Sequence, residues 1–375
     1  MRFIRFSKTL LFINKFLNHR AMMNDLREMV TKFPNLFGHE QDGEKEWLNK
    51  WRKLDNKVSP YSYRIYSYFI GKDMNILPCD VSRNYVEPIL NPENTQGFYS
   101  DKNSLGLLVG AEDMPKTLFR SINYTYYDSE YETVKKSGFH ECFNGYDKLI
   151  VKSATGLGGY SVRLFKRDGG DFYDNKGNKL TLSHLESIYA TNFLIQECFV
   201  QSEYMSQFNP TSVNTIRMNT YRDVETGEIR ILGAVLRIGP KGSVVDNASS
   251  GGVFIGIDDN GNLLKSCFYF RGAKVEKFND IDFSKQNFTI PNYDNIKKFA
   301  IKITKKFPHM SLFAHDIALD KDNNPKIIEV NVENFTYDFL QSTKCGVFGE
   351  YTDSVIDYCI SKQNRITAKI CKNLF

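Results

Sequence analysis

The chain has 375 residues, 41% of them hydrophobic, which is enough for large cores in two or three packed units. Its 49 basic and 44 acidic residues give a net charge of +5, which fits an anionic small molecule and is too weak to indicate nucleic acid as a partner. Seven cysteines without a CxxC pair predict free thiols in a reducing cytoplasm.

Residues 1–97 are predicted to form a helical N-terminal region. Trp47 and Trp51 recur at helical spacing, and the aromatic residues of segment 61–70 follow the same period. Segment 1–17 is basic and apolar, but its longest apolar run is far shorter than the about 20 residues that a transmembrane helix needs. A short amphipathic helix is the simpler interpretation of this segment, and a weak membrane-surface contact is the alternative.

Helix and strand patterns mix between residues 98 and 197. Asp101 can cap a helix that starts beside it, because its side chain accepts hydrogen bonds from free backbone N–H groups. Segment 148–152 predicts a strand that runs into a glycine-rich loop, and a later apolar strand ends in Gln196 and Glu197. The end of such a strand commonly offers backbone groups to the edge of an adenine ring. The alternative is a polar pair that is simply solvated.

The glycine-rich loop after the strand is a candidate site for phosphate groups. Glycines let the backbone fold over a ligand, and they allow its N–H groups to point at phosphate oxygens. The loop is not a Walker A motif, because no Gly-Lys-Ser/Thr sequence closes it. A glycine-rich turn without a ligand is the alternative. The candidate residues here are Lys152, Ser153, Gly156, Gly158 and Gly159.

Strand patterns dominate from about residue 198 to 345, apart from a predicted helix near 292–307, and a last helix is predicted near 350–361. Arg217 and Arg237 each lie within an otherwise apolar strand, where a buried guanidinium group needs an anionic partner. That partner is either a structural carboxylate or the negative charge that develops in a reaction. A register slip of one residue would exchange the faces of either strand, so the pattern does not choose between the two arginines.

Two apolar strands near the C-terminus flank a polar turn, which predicts a β-hairpin. Alternate side chains of a strand share one face, so Glu329 and Asn331 point the same way. If Leu319 pairs with Lys326, Asp316 lies opposite Glu329 with the side chains about 5 Å apart. Two carboxylates and an amide oxygen, without histidine or cysteine, suit Mg²⁺ better than zinc. The alternative is an ordinary hairpin with a solvated acidic face.

The order of these features resembles the ATP-grasp superfamily, most closely its branch of sugar-transfer-associated ATP-grasp proteins. The resemblance covers about residues 98–350. The segments that carry it are 101–103, 150–160, 194–197, 212–217, 236–239, 246–247, 251–252 and 314–331. It implies an α+β fold in which two subdomains clasp ATP, with a small or lid subdomain at 98–197. The large subdomain, at 198–375, would hold the metal site and a C-terminal helix.

The resemblance also implies a role for each group of candidate residues, with ATP and Mg²⁺ as cofactors. The implied nucleotide-binding residues are Lys102, Lys152, Ser153, Gly156, Gly158, Gly159, Gln196 and Glu197. The implied metal ligands are Asp316, Glu329 and Asn331. The implied catalytic residues are Arg217 and Arg237.

The implied reaction is an ATP- and Mg²⁺-dependent, ADP-forming ligation of a carboxylate to an amine through an acyl phosphate, in surface polysaccharide biosynthesis. The substrates would be small molecules, such as an amino acid and a sugar acid or amino sugar. The alternatives are an ATP-grasp phosphotransferase and a non-catalytic nucleotide-binding scaffold. Superfamily members usually begin with a Rossmann-like domain that helps to bind the acid. The helical pattern of the first 97 residues departs from this, so the identity of the substrate does not carry over.

Overall fold

The structure is a computed structural model that describes residues 29, 32–36, 39–155, 162–333 and 335–372, with side chains up to residue 363 in the last helix. The predictions that lie outside these residues concern segment 1–17 and the loop residues Gly156, Gly158 and Gly159. In the described ranges, no helix combines the length and the apolar character that a membrane crossing requires. The six cysteines described are free thiols, as the sequence predicts.

A six-stranded antiparallel sheet occupies the middle of the chain. Its strands are β1 (Thr117–Ile122), β2 (Thr125–Tyr127), β3 (Lys148–Ser153), β4 (Arg163–Asp168), β5 (Asp171–Asp174) and β6 (Phe193–Glu197). They stand in the order β2-β1-β6-β3-β4-β5. One face carries fully buried apolar side chains, among them Phe119, Leu149 and Phe165. The alternate residues, among them Lys152 and Gln196, lie on the other face and line a cavity.

The later strands of the chain are β7 (Thr215–Arg222), β8 (Ile229–Ile238), β9 (Val253–Ile257), β10 (Leu263–Tyr269), β11 (Lys274–Val275), β12 (Lys277–Phe278), β13 (Ile281–Asp282), β14 (Leu312–Leu319) and β15 (Pro325–Asn331). Seven of them form an antiparallel sheet in the order β11-β10-β9-β8-β7-β14-β15, and β12 and β13 form a separate pair. β14 is buried at every residue because cores lie on both of its faces. Phe313 and Ile317 pack with the helix Tyr293–Thr304, whereas Leu312 and Ala314 belong to the core of the N-terminal helices.

The N-terminal helices pack against the large sheet and share a core with it. Trp47 and Trp51 are fully buried in the same cluster as Phe339. The side chain of Gln341 accepts a hydrogen bond from the backbone N–H of Leu77 at 2.5 Å and donates one to the carbonyl oxygen of that residue at 3.2 Å. The α-helices in the described ranges are Glu44–Trp51, Tyr61–Ile70, Cys79–Val81, Glu87–Leu90, Glu93–Ser100, Lys102–Leu108, Leu182–Tyr189, Glu203–Ser206, Tyr293–Thr304, Tyr337–Thr343 and Thr352–Lys372, with a π-helical turn at Ser82–Val86.

Candidate functional site

A cavity of about 1100 Å³ lies between the two large sheets. The predicted site residues on its wall are Lys102, Lys152, Gln196, Glu197, Arg217, Arg237, Asp316, Glu329 and Asn331. Ser153 is not on this wall; it pairs with Phe193 at the end of β3. Ligand pockets usually measure about 300–1000 Å³, so the cavity is large enough for a nucleotide.

The hairpin of β14 and β15 places Asp316 opposite Glu329, as the sequence predicts. The predicted pairing of Leu319 with Lys326 is wrong, because Leu319 pairs with Pro325. A β-bulge next to Asp316 adds one residue to β15 and makes up the difference. Asp316 and Glu329 therefore lie opposite each other because of a bulge that the simple hairpin pattern does not predict.

Asp316 is buried between two guanidinium groups. Its Oδ1 accepts a hydrogen bond from Arg217 Nε at 2.8 Å, and its Oδ2 accepts from Arg217 Nη2 at 2.7 Å and from Arg237 Nη1 at 2.9 Å. Burial alone would raise the pKa of the Asp316 carboxyl, but the two positive charges hold it well below its usual value. Asp316 is therefore an ionised counter-ion of both arginines.

Arg237 also holds a second carboxylate, Asp246, which the sequence analysis does not assign to the site. Arg237 Nη2 lies 3.0 Å from Asp246 Oδ1 and also contacts the side-chain oxygen of Asn247. The other oxygen of Asp246 accepts hydrogen bonds from the backbone N–H of Thr215, at 3.0 Å, and from its hydroxyl group. Burial alone would lower the pKa of Arg237, but Asp246 and Asp316 raise it above its ordinary value. The only sequence signal for Asp246 is its place in a segment that carries the family resemblance.

Lys102 stands at the first position of its helix and pairs with Glu329. The distance between Lys102 Nζ and Glu329 Oε1 is 2.9 Å. Asp101 caps the helix as predicted, because its Oδ1 accepts a hydrogen bond from the backbone N–H of Asn103 at 2.8 Å. The backbone N–H of Lys102 donates to the carbonyl oxygen of Ala154 at 2.9 Å. The ammonium group is therefore positioned by both the helix and the end of β3.

Lys152 carries a buried amine at the end of β3. Within the described residues its side chain has no hydrogen bond and no ion pair. Burial lowers the pKa of Lys152 to about 8, the charge of Lys102 acts in the same direction, and Glu329 opposes them. A buried cation without a partner is costly, so this amine is suited to an anionic ligand such as a phosphate group.

Gln196 and Glu197 use their side chains within the protein. The Gln196 carboxamide donates hydrogen bonds to the carbonyl oxygen of Pro115 at 3.2 Å and to Thr117 Oγ1 at 2.9 Å. Glu197 accepts from the backbone N–H of Lys116 at 2.9 Å through its side chain. These contacts fix β6 to the segment before β1. The adenine contact stays a prediction.

Apolar side chains form the part of the wall next to this strand end. Ile150, Val162 and Leu164 come from the region of β3 and β4, and Phe199 and Val200 follow β6. Pockets for small molecules are lined mainly by apolar and aromatic side chains, with a few polar groups that fix the orientation of the ligand. The apolar character of this part of the wall suits an aromatic ring, and an adenine ring beside Gln196 and Glu197 stays a prediction.

The oxygen ligands fit Mg²⁺ to different degrees. The side chain of Glu329 is 28% exposed and has one ion pair, so it can accept a cation. Asn331 donates its N–H to the carbonyl oxygen of Ala314 at 3.1 Å, which leaves its side-chain oxygen for a metal. Asp316 already accepts hydrogen bonds on both oxygens. Among the described residues, no three His, Cys, Asp or Glu side chains lie close enough together to hold a metal ion. The predicted ligand set of Asp316, Glu329 and Asn331 therefore stays a prediction.

A search of solved structures finds chains that are similar to this one, whereas a search of curated proteins gives no match. ATP-grasp ligase PsnB complexed with its minimal precursor is 12% identical with a TM-score of 0.38, over 72% of this chain and 64% of that chain. D-alanine–D-alanine ligase from Bacillus anthracis is 14% identical with a TM-score of 0.38, over 73% and 70%. The biotin carboxylase domain of Hydrogenobacter thermophilus 2-oxoglutarate carboxylase is 13% identical with a TM-score of 0.39, over 75% and 48%. The chain thus spans less than two thirds of the length of the first and the third, and these similarities carry no argument about its substrates.

A family model provides the decisive comparison. The model described as sugar-transfer associated ATP-grasp matches residues 82–348. This match begins before residue 98, where the resemblance in the sequence is predicted to start. The match confirms the predicted family, the α+β ATP-grasp fold, and ATP with Mg²⁺ as the cofactors. The chain belongs to the family of sugar-transfer associated ATP-grasp proteins.

Proposed function

We propose that the protein is an ADP-forming ligase that joins a carboxylate to an amine through an acyl phosphate. Family membership supports an ATP-dependent ligase at the coarse level. The finer proposal rests on one observation: a single cavity contains two lysines suited to phosphates, Lys102 and Lys152, and two arginines, Arg217 and Arg237. A protein that only binds nucleotide needs the lysines alone, whereas activation of a carboxylate also needs positive charge beside the acid.

In this proposal the two lysines hold the phosphates of ATP. Lys152, with a pKa of about 8, is mostly protonated at neutral pH, and a phosphate would favour the protonated form further. Lys102 exchanges part of its contact with Glu329 for a phosphate oxygen, which leaves Glu329 and Asn331 to hold Mg²⁺. When bound, Mg²⁺ neutralises phosphate charge and helps to orient the transferred group.

The arginine side of the cavity receives the acid. An oxygen of its carboxylate attacks the γ-phosphorus of ATP, the bond from this phosphorus to the bridging oxygen breaks, and ADP leaves. The amine nitrogen then attacks the acyl carbon, orthophosphate leaves, and the nitrogen loses a proton. Arg217 and Arg237 neutralise the charge of the acid and of the acyl phosphate. This chemistry requires positioning and charge neutralisation more than a protein nucleophile.

The substrates and the setting are also part of the proposal. The family description names sugar transfer, which supports a sugar acid or amino sugar as one substrate, an amino acid as the other, and surface polysaccharide biosynthesis in the cytoplasm as the context. We further propose subdomain boundaries near residues 97 and 197. Residue 197 ends β6, the last strand of the six-stranded sheet along the chain.

The test is release of ADP and orthophosphate with pairs of acids and amines drawn from amino acids, uronic acids and amino sugars. A ligase releases both products only when acid and amine are present together. With the acid, ATP and hydroxylamine, it should yield a hydroxamate, because hydroxylamine attacks an activated carbonyl group. A phosphotransferase would release ADP without orthophosphate, and a scaffold would release neither. If the true pair is consumed but no oxygen label passes from the carboxylate into orthophosphate, carboxyl phosphorylation is excluded.

A further inference from the structure

We propose that the carboxylate of the acid substrate binds at the position that Asp316 occupies in this structure, after Asp316 has left Arg217 and Arg237. The inference rests on the proposed function for the identity of the incoming anion. The exchange itself follows from the contacts of these three side chains, all of them buried on the cavity wall.

Asp316 occupies the paired N–H edge of Arg217 that a substrate carboxylate would otherwise use. Arg217 gives Nε and Nη2 to Asp316 and gives Nη1 to Thr336 Oγ1 at 2.8 Å. Arg237 gives Nη1 to Asp316 and Nη2 to Asp246, and only its Nε lacks a partner within the described residues. An acid that is to bind the Nε and Nη2 edge of Arg217 together with Arg237 Nη1 must therefore displace Asp316.

The two carboxylates differ in the kind of group that holds them. Asp246 is anchored by the backbone N–H and the hydroxyl group of Thr215 in addition to Arg237. Asp316 accepts hydrogen bonds from the two guanidinium groups only, within the described residues. Asp316 is therefore the carboxylate that another cation can draw away, whereas the contacts with Thr215 keep Asp246 and Arg237 in place.

The hairpin offers Asp316 another positive partner. Asp316 lies directly opposite Glu329 in the register of β14 and β15, and Asn331 shares the face of Glu329. A divalent cation held by those two residues would attract the Asp316 side chain away from the arginines. The three N–H groups it leaves behind converge on one point, which suits the planar carboxylate of an acid. Nucleotide with Mg²⁺ therefore binds first, and the acid follows.

The experiment measures the affinity of the nucleotide-free protein for sulfate by titration calorimetry at constant ionic strength. Sulfate serves as the probe because it is an anion that guanidinium groups bind and that binds Mg²⁺ weakly. Asp316→Asn keeps the shape of the side chain and frees the arginines, so sulfate should bind about fivefold tighter or more than to the wild type. Asp246→Asn removes the same charge beside the same arginine without vacating the shared position, and it should show no such gain. Equal affinities for D316N and the wild type, or equal gains in both variants, would overturn the proposal.

A second measurement uses the wild type alone and decides the question if D316N fails to fold. The dissociation constant for sulfate is compared with Mg²⁺ and ADP present and with ADP and a chelator. We expect about fivefold tighter binding or more with Mg²⁺, in the usual range of coupling between sites. An unchanged constant refutes the exchange. If Mg²⁺ tightens sulfate binding but no hydroxamate forms, the exchange is supported and the proposed ligase activity is not. If a hydroxamate forms but Mg²⁺ does not change sulfate binding, the ligase activity is supported and the exchange is refuted.

Discussion

Replacing Lys152 with methionine should stabilise the nucleotide-free protein at neutral pH and at the same time abolish its stabilisation by nucleotide. Burial lowers the pKa of Lys152 from 10.5 to about 8, so the protonated amine is unfavourable in the fold. At about 1.36 kcal/mol per pKa unit, this difference corresponds to about 3 kcal/mol. Methionine has a similar length and no charge, so the variant should recover most of this free energy.

The gain should depend on pH in a defined direction. The pKa of Lys152 is lower in the folded protein than in the unfolded chain, so the penalty is fully present below pH 8 and disappears as the pH rises towards 10.5. The difference in the free energy of unfolding between K152M and the wild type should be about 3 kcal/mol at pH 7. It should shrink steadily between pH 8 and pH 10, as the wild type gains stability.

Urea unfolding at several pH values measures this difference, with the fluorescence of the buried Trp47 and Trp51 as the signal. The matched control is Lys148→Met, which removes an exposed lysine from the same strand and should give no gain. In the same variants, Mg-ATP should raise the melting temperature of the wild type and of K148M but not that of K152M. A K152M protein that is less stable than the wild type at pH 7, or a gain that does not change with pH, would refute the reasoning.

Three further predictions concern the same cavity. Mg-ATP at a hundredfold excess over its dissociation constant should stabilise the wild type by about 2.7 kcal/mol, and a melting scan that does not move at millimolar Mg-ATP would speak against binding. Glu329→Gln should lose ADP production while the apo melting temperature stays nearly unchanged, since the residue is partly exposed; retained turnover would contradict the metal assignment. Arg237→Met should cost about 3–5 kcal/mol in urea unfolding, because it leaves Asp316 and Asp246 with less counter-charge, and a loss below about 1 kcal/mol would show that Arg217 alone suffices.

Local features of the fold follow closely from the sequence. The predicted strand at 148–152 and the helix that starts at Asp101 are confirmed, because an apolar run and a capping residue act within a few positions. The helix predicted near 292–307 spans Tyr293–Thr304. The helix predicted near 350–361 begins at Thr352 but continues to Lys372, because no glycine or proline stops it.

The contacts of the candidate site depend on registers between distant strands, which periodicity does not contain. The pattern predicts an anionic partner for each arginine, but Arg217 and Arg237 share Asp316 only because β8, β7 and β14 lie side by side. Asp316 pairs directly with Arg217 across the sheet. The bulge in β15 and the internal use of the Gln196 side chain are likewise set by packing and not by any local signal.

The core that joins the N-terminal helices to the large sheet has a consequence for truncated forms of the protein. The family match begins at residue 82, yet Trp47 and Trp51 lie before it and are fully buried in the cluster that contains Phe339. A fragment that starts at the match would uncover the apolar side of the helix Tyr337–Thr343, and such surfaces aggregate. A version of the protein that stays soluble should therefore include the N-terminal helices that carry Trp47 and Trp51, although the family match does not.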